Sequence, residues 1–402
     1  MNMQRPVPRL PKAPRDPRLD FFRGIGMFII FIAHVRDNTW TLWIPARFGF
    51  SDATEMFVFC SGMASAIAFG RSFDQAGWLI GTARVSQRIW QVYFAHICQF
   101  LLIASALVAL QTSGVLKTWF DLSFDVVGAL NLWLLFERTQ QALPGLFTLT
   151  YVPNYFDILP MYVVILAMMP VVMALARVGR AAVFSAMVAT WLAAEFGWLD
   201  LPAEPWSDRS WFFNPFAWQL LFFTGFALMR GWLPAPPVRR DLVLLALAIV
   251  LVSVPLAWYR IYETVPALLQ LRMALEPLWM KTGFGLLRYV HFLALAYLAW
   301  VAVGEGGRYL LAGGWVGRAV AVVQKVGQQS LAVFLASLAV AQAAGIARDA
   351  AGGSGLLVDL VMNLGGIATL VAVAYLVAWY KSEPWRRVSG IGVSQSHKVN
   401  SH

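Results

Sequence analysis

Charge is scarce in this sequence. Only 13% of its 402 residues are Asp, Glu, Lys or Arg, about half the share of a soluble domain, while 59% are hydrophobic. That balance excludes an ordinary water-soluble domain and points to a chain solvated by lipid. Cysteine is nearly absent as well. The two thiols, Cys60 and Cys98, lie inside apolar runs, which excludes a disulfide framework and predicts two small buried side chains. No metal-ligand spacing, Walker loop or Gly-rich dinucleotide turn occurs, nor a Ser nucleophile elbow. No internal repeat or low-complexity tract is visible. No small-residue cleavage site follows the first apolar run, so that run reads as an uncleaved anchor.

What is present is apolar length. Ten stretches reach the roughly 17 to 25 residues that a bilayer core requires. They lie near 19–36, 53–70, 86–111, 157–176, 181–199, 212–229, 241–258, 286–303, 328–346 and 357–380. The predicted fold class is an all-α polytopic membrane protein with about ten transmembrane helices. A basic, Pro-rich cytoplasmic tail at 1–17 and a second tail at 381–402 flank one transmembrane domain at 18–380. Long external loops are expected at 112–156 and 259–285. Within the first, 119–136 is apolar but carries Asp121 and Asp125 in its first half, so an interfacial or re-entrant helix is expected there.

The net charge of +10 would suggest nucleic acid in a soluble protein. Here a different rule applies, because Lys and Arg of membrane proteins gather in cytoplasmic loops. With both termini inside, cytoplasmic segments hold 20 of the 31 basic residues and external segments hold 10. The bilayer, not nucleic acid, is therefore the expected partner. Counting 119–136 as a span would put most of the later basic clusters outside, which argues against it.

The first span, RLDFFRGIGMFIIFIAHVRDN (18–38), places ionisable groups where they are costly. At 100° per residue, Arg23 and His34 point within about 20° of one another, and Asp20 lies about 40° from His34. The rise from Arg23 to His34 is about 16 Å, half the hydrocarbon thickness. Charged groups inside a membrane usually face a bundle interior or a watery cavity and mark a pathway. This helix reads as one wall of a slot with a cationic cytoplasmic mouth and an imidazole near its outer end.

The same stretch, RLDFFRG with a histidine at the end of an Arg-x10-His spacing, resembles the signature of the membrane-bound acyltransferase-3 superfamily. Five further stretches are similar, in matching order, to the OpgC family of succinyltransferases that decorate osmoregulated periplasmic glucans. They are GFSDATEMFVFCSG (49–62), NYFDILPMYV (154–163), NPFAWQLLFFTGF (214–226), KTGFGLLRYVHFLALAY (281–297) and VGQQSLAVFLASL (326–338). The resemblance runs over nearly the whole chain, roughly 15 to 380. It implies a multi-pass protein of the bacterial inner membrane that passes an acyl group, succinyl above all, from cytoplasmic acyl-CoA to a hydroxyl of a periplasmic glucan. Succinyl-CoA is then a co-substrate, and no permanently bound cofactor is implied. A homo-oligomer is left open.

Such an enzyme needs a base for the hydroxyl proton, and an imidazole is the usual choice. His34 is the candidate; the competing reading is a histidine hydrogen-bonded between helices. Coenzyme A phosphates need a basic mouth. Arg18, Arg23, Arg84 and Arg88 are candidates, although Arg84 and Arg88 also serve topology. Asp20, three residues from Arg23, reads as its ion-pair partner and orienting group. An acidic partner for His34 is sought in Asp52 and Glu55, which also spell a capping box for the second span. Asp157 is a third candidate, with a helix cap as its rival reading.

His291 is a second candidate imidazole, with a satisfied core histidine as its competitor. Aromatic residues such as Trp40, Trp43, Tyr151, Tyr155, Trp206 and Trp211 would sit near the outer interface. Aromatic belts occur whatever the function. His96 is expected to hydrogen-bond between helices. Nothing marks Ser51, Cys60 or Ser61 as an activated nucleophile, so direct transfer is the simpler mechanism. The alternative class is a proton-coupled transporter or exporter of a glycan or small anion, but no matched pair of broken helices supports it. A membrane scaffold would leave the aligned charges unexplained.

Overall fold

The computed structural model describes residues 16–120, 124–311, 313–353 and 355–385. In chain order its α-helices are α1 (Pro17–His34), α2 (Ala53–Ser65), α3 (Arg71–Thr112), α4 (Val115–Phe120), α5 (Trp133–Glu137) and α6 (Thr139–Thr148). Next come α7 (Ile158–Val178), α8 (Arg180–Glu195), α9 (Pro215–Met229), α10 (Arg240–Ala257), α11 (Tyr259–Tyr262) and α12 (Pro266–Ala274). The last are α13 (Glu276–Trp279), α14 (Leu286–Val303), α15 (Gly314–Gln328), α16 (Ser330–Ala350) and α17 (Leu356–Lys381). Among the described residues the only β pairing is an isolated bridge between Pro202 and Ser210. The protein is all-helical.

Each of the ten expected stretches falls largely on helix, and among the described residues six helical stretches are long and apolar enough to cross a membrane. They are Ala53–Thr112, Ile158–Val178, Arg240–Ala257, Leu286–Val303, Ser330–Ala350 and Leu356–Lys381. The difference has particular causes. Pro17–His34 carries Arg18, Asp20 and Arg23, and Arg180–Glu195 and Pro215–Met229 stop short of 18 residues. Ala53–Thr112 takes in two of the expected stretches. It is not one straight rod, because Gly77 inside it has φ +81°, a left-handed conformation natural for glycine. Phe73 and Gly81, on either side of that kink, pack against each other.

The bundle centres on α9, where 12 of 15 residues are buried. A helix apolar on every side belongs in the middle. Its Gly225 meets the Phe59 carbonyl of α2, and Gly62 of α2 meets the Phe222 carbonyl of α9. Likewise Gly24 of α1 meets the Val323 carbonyl of α15, and Gly327 meets the Asp20 carbonyl. Apolar side chains gain little by leaving lipid for one another, so close backbone approach at small residues is what locks such helices. By contrast α10 buries only Ala246 and Ser253 and lies at the periphery.

The segment 119–136 is not one interfacial or re-entrant helix. Residues 121–123, with Asp121, lie outside the described residues; beyond them the chain runs through a short turn of helix at Gly128–Leu130 and then α5. Asp125 breaks it: its carboxylate accepts from the amides of Val127 and Gly128 and from the Trp133 indole. Short side-chain-to-backbone bonds of this kind compete with helix. Two smaller expectations also fail. Cys98 is exposed on α3 while Cys60 is buried, because α3 turns position 98 outward, away from its packed face. His96 is buried, yet neither ring nitrogen has a hydrogen-bond partner among the described residues.

Candidate active site

The site assembles at the end of α1 that carries His34. Its second wall is the start of α2, where Asp52 accepts from the Thr54 amide at 2.6 Å and Glu55 accepts from the Asp52 amide at 2.7 Å. This is the capping box the sequence spells. Capping uses only part of each carboxylate. The other Asp52 oxygen takes the Lys281 ammonium at 2.6 Å, and Glu55 takes the Arg288 guanidinium at 2.8 Å. The loop before α14 is thereby clamped to the head of α2. Burial works to raise the Asp52 pKa, but the neighbouring Lys281 and Arg288 charges hold it well below the usual carboxylate range.

His34 is oriented by its own helix. Its Nδ1 lies 2.6 Å from the Ile30 carbonyl; a carbonyl only accepts, so Nδ1 carries the proton and Nε2 keeps its lone pair. Lys281 and Asp52 are the ionised side chains whose fields reach the ring. Tyr155 meets it edge to face at 5.4 Å between ring centres. Tyr155 itself has φ +70° and is about half exposed. A left-handed non-glycine residue is costly and concentrates at functional sites.

Two residues on, Asp157 stands ahead of α7 and is 6% exposed. It makes no side-chain cap bond to the helix, and its Oδ1 has no partner among the described residues. Burial raises its pKa, with Arg209 opposing. The helix-cap reading of Asp157 therefore does not hold. His291 keeps its Nε2 without a hydrogen-bond partner among the described residues. Its Nδ1 lies 2.7 Å from Ser51 Oγ, its Nε2 is packed on Gly49, and it is 2% exposed. Tyr151 and Trp211 are fully buried, so neither is a platform.

At the other end of α1, Arg23 donates to Ser330 Oγ, and its Nε has no partner among the described residues. Asp20, Arg88, Tyr162 of α7 and Cys60 of α2 lie within its electrostatic reach. Both ends of α1 thus face the same two neighbours. His34 looks toward Asp52 and Tyr155, at the heads of α2 and α7; Arg23 looks toward Cys60 and Tyr162, further along them.

The rest of the expected mouth is engaged elsewhere. Arg18 is held by Asp16 at 2.7 Å and stacks 3.8 Å over Trp300, and Arg84 donates to Ser72. Arg88 donates to its neighbour Gln91 at 3.3 Å and is half-buried.

Sequence reasoning missed Lys281 and the Ser51–His291 contact. The signal for Lys281 was its place in KTGFG, directly before an apolar run and in a stretch already singled out. Its pairing needed the fold, since 229 residues separate it from Asp52.

A helical bundle with membrane-length apolar helices and an imidazole oriented by its own helix defines a polytopic membrane protein. A family profile described as OpgC protein matches residues 15–382. The chain belongs to the OpgC family. No curated protein and no solved structure matches it.

Proposed function

We propose that the protein is a membrane O-acyltransferase of the acyltransferase-3 superfamily. It moves an acyl group, succinyl by the family's character, from cytoplasmic acyl-CoA to a hydroxyl of a periplasmic glucan. The protein is then a multi-pass transferase of the bacterial inner membrane, one domain at 18–380 with both termini cytoplasmic. His34 is the general base, and Arg23 and Arg88 guide the donor. One observation carries the reading: the His34 ring is oriented through Nδ1, leaving Nε2 as acceptor beside the Lys281–Asp52 pair.

The chemistry follows from that geometry. Acyl-CoA enters from the Arg23 end with its pantetheine arm along the slot between α1, α2 and α7. The sugar hydroxyl reaches Nε2 from the Tyr155 side. Nε2 takes its proton as the oxygen attacks the thioester carbonyl. Asp52 stabilises the resulting imidazolium, and Glu55, neutralised by Arg288, fixes the head of α2. Asp157 supplies an acceptor for a neighbouring sugar hydroxyl. His291 holds Ser51, and so the segment before Asp52, in place.

The test uses purified protein, radiolabelled succinyl-CoA and an oligoglucose acceptor. Label should pass to the glucan, and His34→Ala should lose transfer while retaining normal expression and elution. A transporter would neither transfer nor hydrolyse the donor. Undiminished turnover in His34→Ala would remove the assignment of the base.

A further inference from the structure

The turn that carries Tyr155 is built against the preference of its own backbone. The Phe156 amide donates to the Pro153 carbonyl at 3.2 Å, so Asn154 and Tyr155 form the tip of a tight turn. Tyr155 holds its third position at φ +70°. Gly or Asn is the usual residue there, because a left-handed backbone crowds a larger side chain. The flanks of the tip are firm. The Val152 amide donates to the Ala203 carbonyl at 2.8 Å, and the Val152 carbonyl accepts from Arg209 at 2.9 Å. Phe156 is 3% exposed, with its ring 5.1 Å from that of Phe100. A strained residue persists only where its surroundings fix it in this way.

What the strain holds in place is a ring. The Tyr155 and His34 ring centres are 5.4 Å apart, with their planes at 70°. An edge-to-face pair covers at most one face of either ring, so at least one face of the phenol is clear of His34. Tyr155 is 51% exposed, whereas Val152, Phe156 and Asp157 beside it in the chain are buried. An aromatic surface is therefore open directly next to the imidazole. Its π face is electron-rich and attracts the polarised C–H groups that line the face of a pyranose. The hydroxyls of such a ring need polar partners at its rim. Asp157 is two residues further on and 6% exposed, and its Oδ1 is an acceptor without a partner among the described residues.

We infer that Tyr155 is the acceptor platform: one pyranose of the acceptor stacks on its open face, and the stack brings a hydroxyl of that sugar to His34. This rests on the acyltransferase reading and adds to it the residue that holds the acceptor. A stack recognises the apolar face of the sugar rather than one particular hydroxyl, and the place of His34 beside the ring then selects the hydroxyl that reacts. Aromatic residues of an ordinary membrane belt need neither a left-handed backbone nor contact with an oriented imidazole.

The experiment compares full-length wild type, Tyr155→Gly, Tyr155→Phe and His34→Ala in nanodiscs. Transfer is followed with radiolabelled succinyl-CoA over a range of oligoglucose concentrations. Oligoglucose binding without donor is measured by calorimetry, and stability by melting temperature. Glycine suits a positive φ, so Tyr155→Gly should melt no lower than wild type. Its acceptor KM should rise roughly three- to tenfold, the range for one lost aromatic contact, with oligoglucose affinity weakened in step and donor KM unmoved. Tyr155→Phe should recover most of that affinity, because a stack uses the ring and not the hydroxyl.

Wild-type acceptor KM and oligoglucose affinity in Tyr155→Gly would overturn the inference. So would a fall in kcat with acceptor KM kept, which would make Tyr155 an orienting group for the His34 ring. A lowered melting temperature with equal loss of donor and acceptor affinity would make the turn a structural brace instead. Failure of Tyr155→Phe to recover affinity would replace the stack with a hydrogen bond from the phenol. Absence of transfer by wild type, or full turnover by His34→Ala, would remove the acyltransferase reading; oligoglucose binding would then still decide the platform, which stands only if Tyr155→Gly weakens it.

Discussion

Two polar clusters hang from the same end of α1, only a few residues apart, and they are built on opposite rules. In one, Asn38 and Asn363 exchange amide hydrogen bonds at 2.8 and 2.9 Å, and Arg348 donates to Asp359 at 2.7 Å. Thr39 donates to the other Asp359 oxygen. Asn38, Arg348, Asp359 and Asn363 are all nearly inaccessible, and none has a buried side-chain polar atom left over among the described residues. In the other cluster, His34 bonds through Nδ1 alone, and Asp157 Oδ1 and His291 Nε2 are buried without partners among the described residues. A fully paired buried network joins helices; an incompletely paired one holds capacity for a ligand. The difference teaches which end of the molecule acts and which part braces it.

Mutation should separate the two clusters cleanly. The largest effect is expected at the open one. His34→Ala should lower transfer by about 100- to 10,000-fold, the span for general base catalysis, with an unchanged melting temperature; radiolabel transfer and thermal unfolding in detergent report the two. The braced cluster should show the reverse. Asp359→Ala leaves the Arg348 charge buried and unpaired, a loss of about 3–5 kcal/mol. Its melting temperature should fall steeply while the folded fraction keeps its turnover. Equal losses of stability in both variants would erase the distinction.

A smaller effect is expected at the far end of the slot. Arg23→Ala should raise donor KM roughly tenfold or more, since charge-assisted bonds contribute about 1.5–3 kcal/mol, with kcat less affected. The smallest belongs to Arg18→Ala. That guanidinium is already satisfied by Asp16 and Trp300, so donor KM should move less than about twofold. A large KM change there would put the donor's phosphates further toward the chain's start.

How much of this was legible beforehand follows the range of the interactions. The helical class, the wall shared by Arg23 and His34, and the capping box at Asp52 and Glu55 are local, set by spacing within one helix, and the sequence displays them. The kink at Gly77 and the break at Asp125 are local too. They hinge on one backbone angle and on one carboxylate finding nearby amides, which hydropathy does not register. Ten spans are expected, whereas six helical stretches among the described residues are long and apolar enough to cross a membrane, because α8 and α9 are short, α1 is charged, and Ala53–Thr112 takes in two of the ten. What stayed hidden is long-range. Lys281 to Asp52, Arg288 to Glu55 and His291 to Ser51 each join residues more than 200 positions apart. No periodicity encodes those partners. The same holds for Arg18 and Arg84, which look alike in sequence as basic residues near a helix start. Their neighbours Trp300 and Ser72 occupy them.

The central claim is that donor and acceptor meet from opposite ends of α1. The most direct measurement uses proteoliposomes sorted for one orientation, with labelled succinyl-CoA confined to the Pro17 face and oligoglucose to the His34 face. The account predicts label on the glucan in that arrangement and none when the two compartments are exchanged. Transfer only when donor and acceptor share one compartment would contradict it.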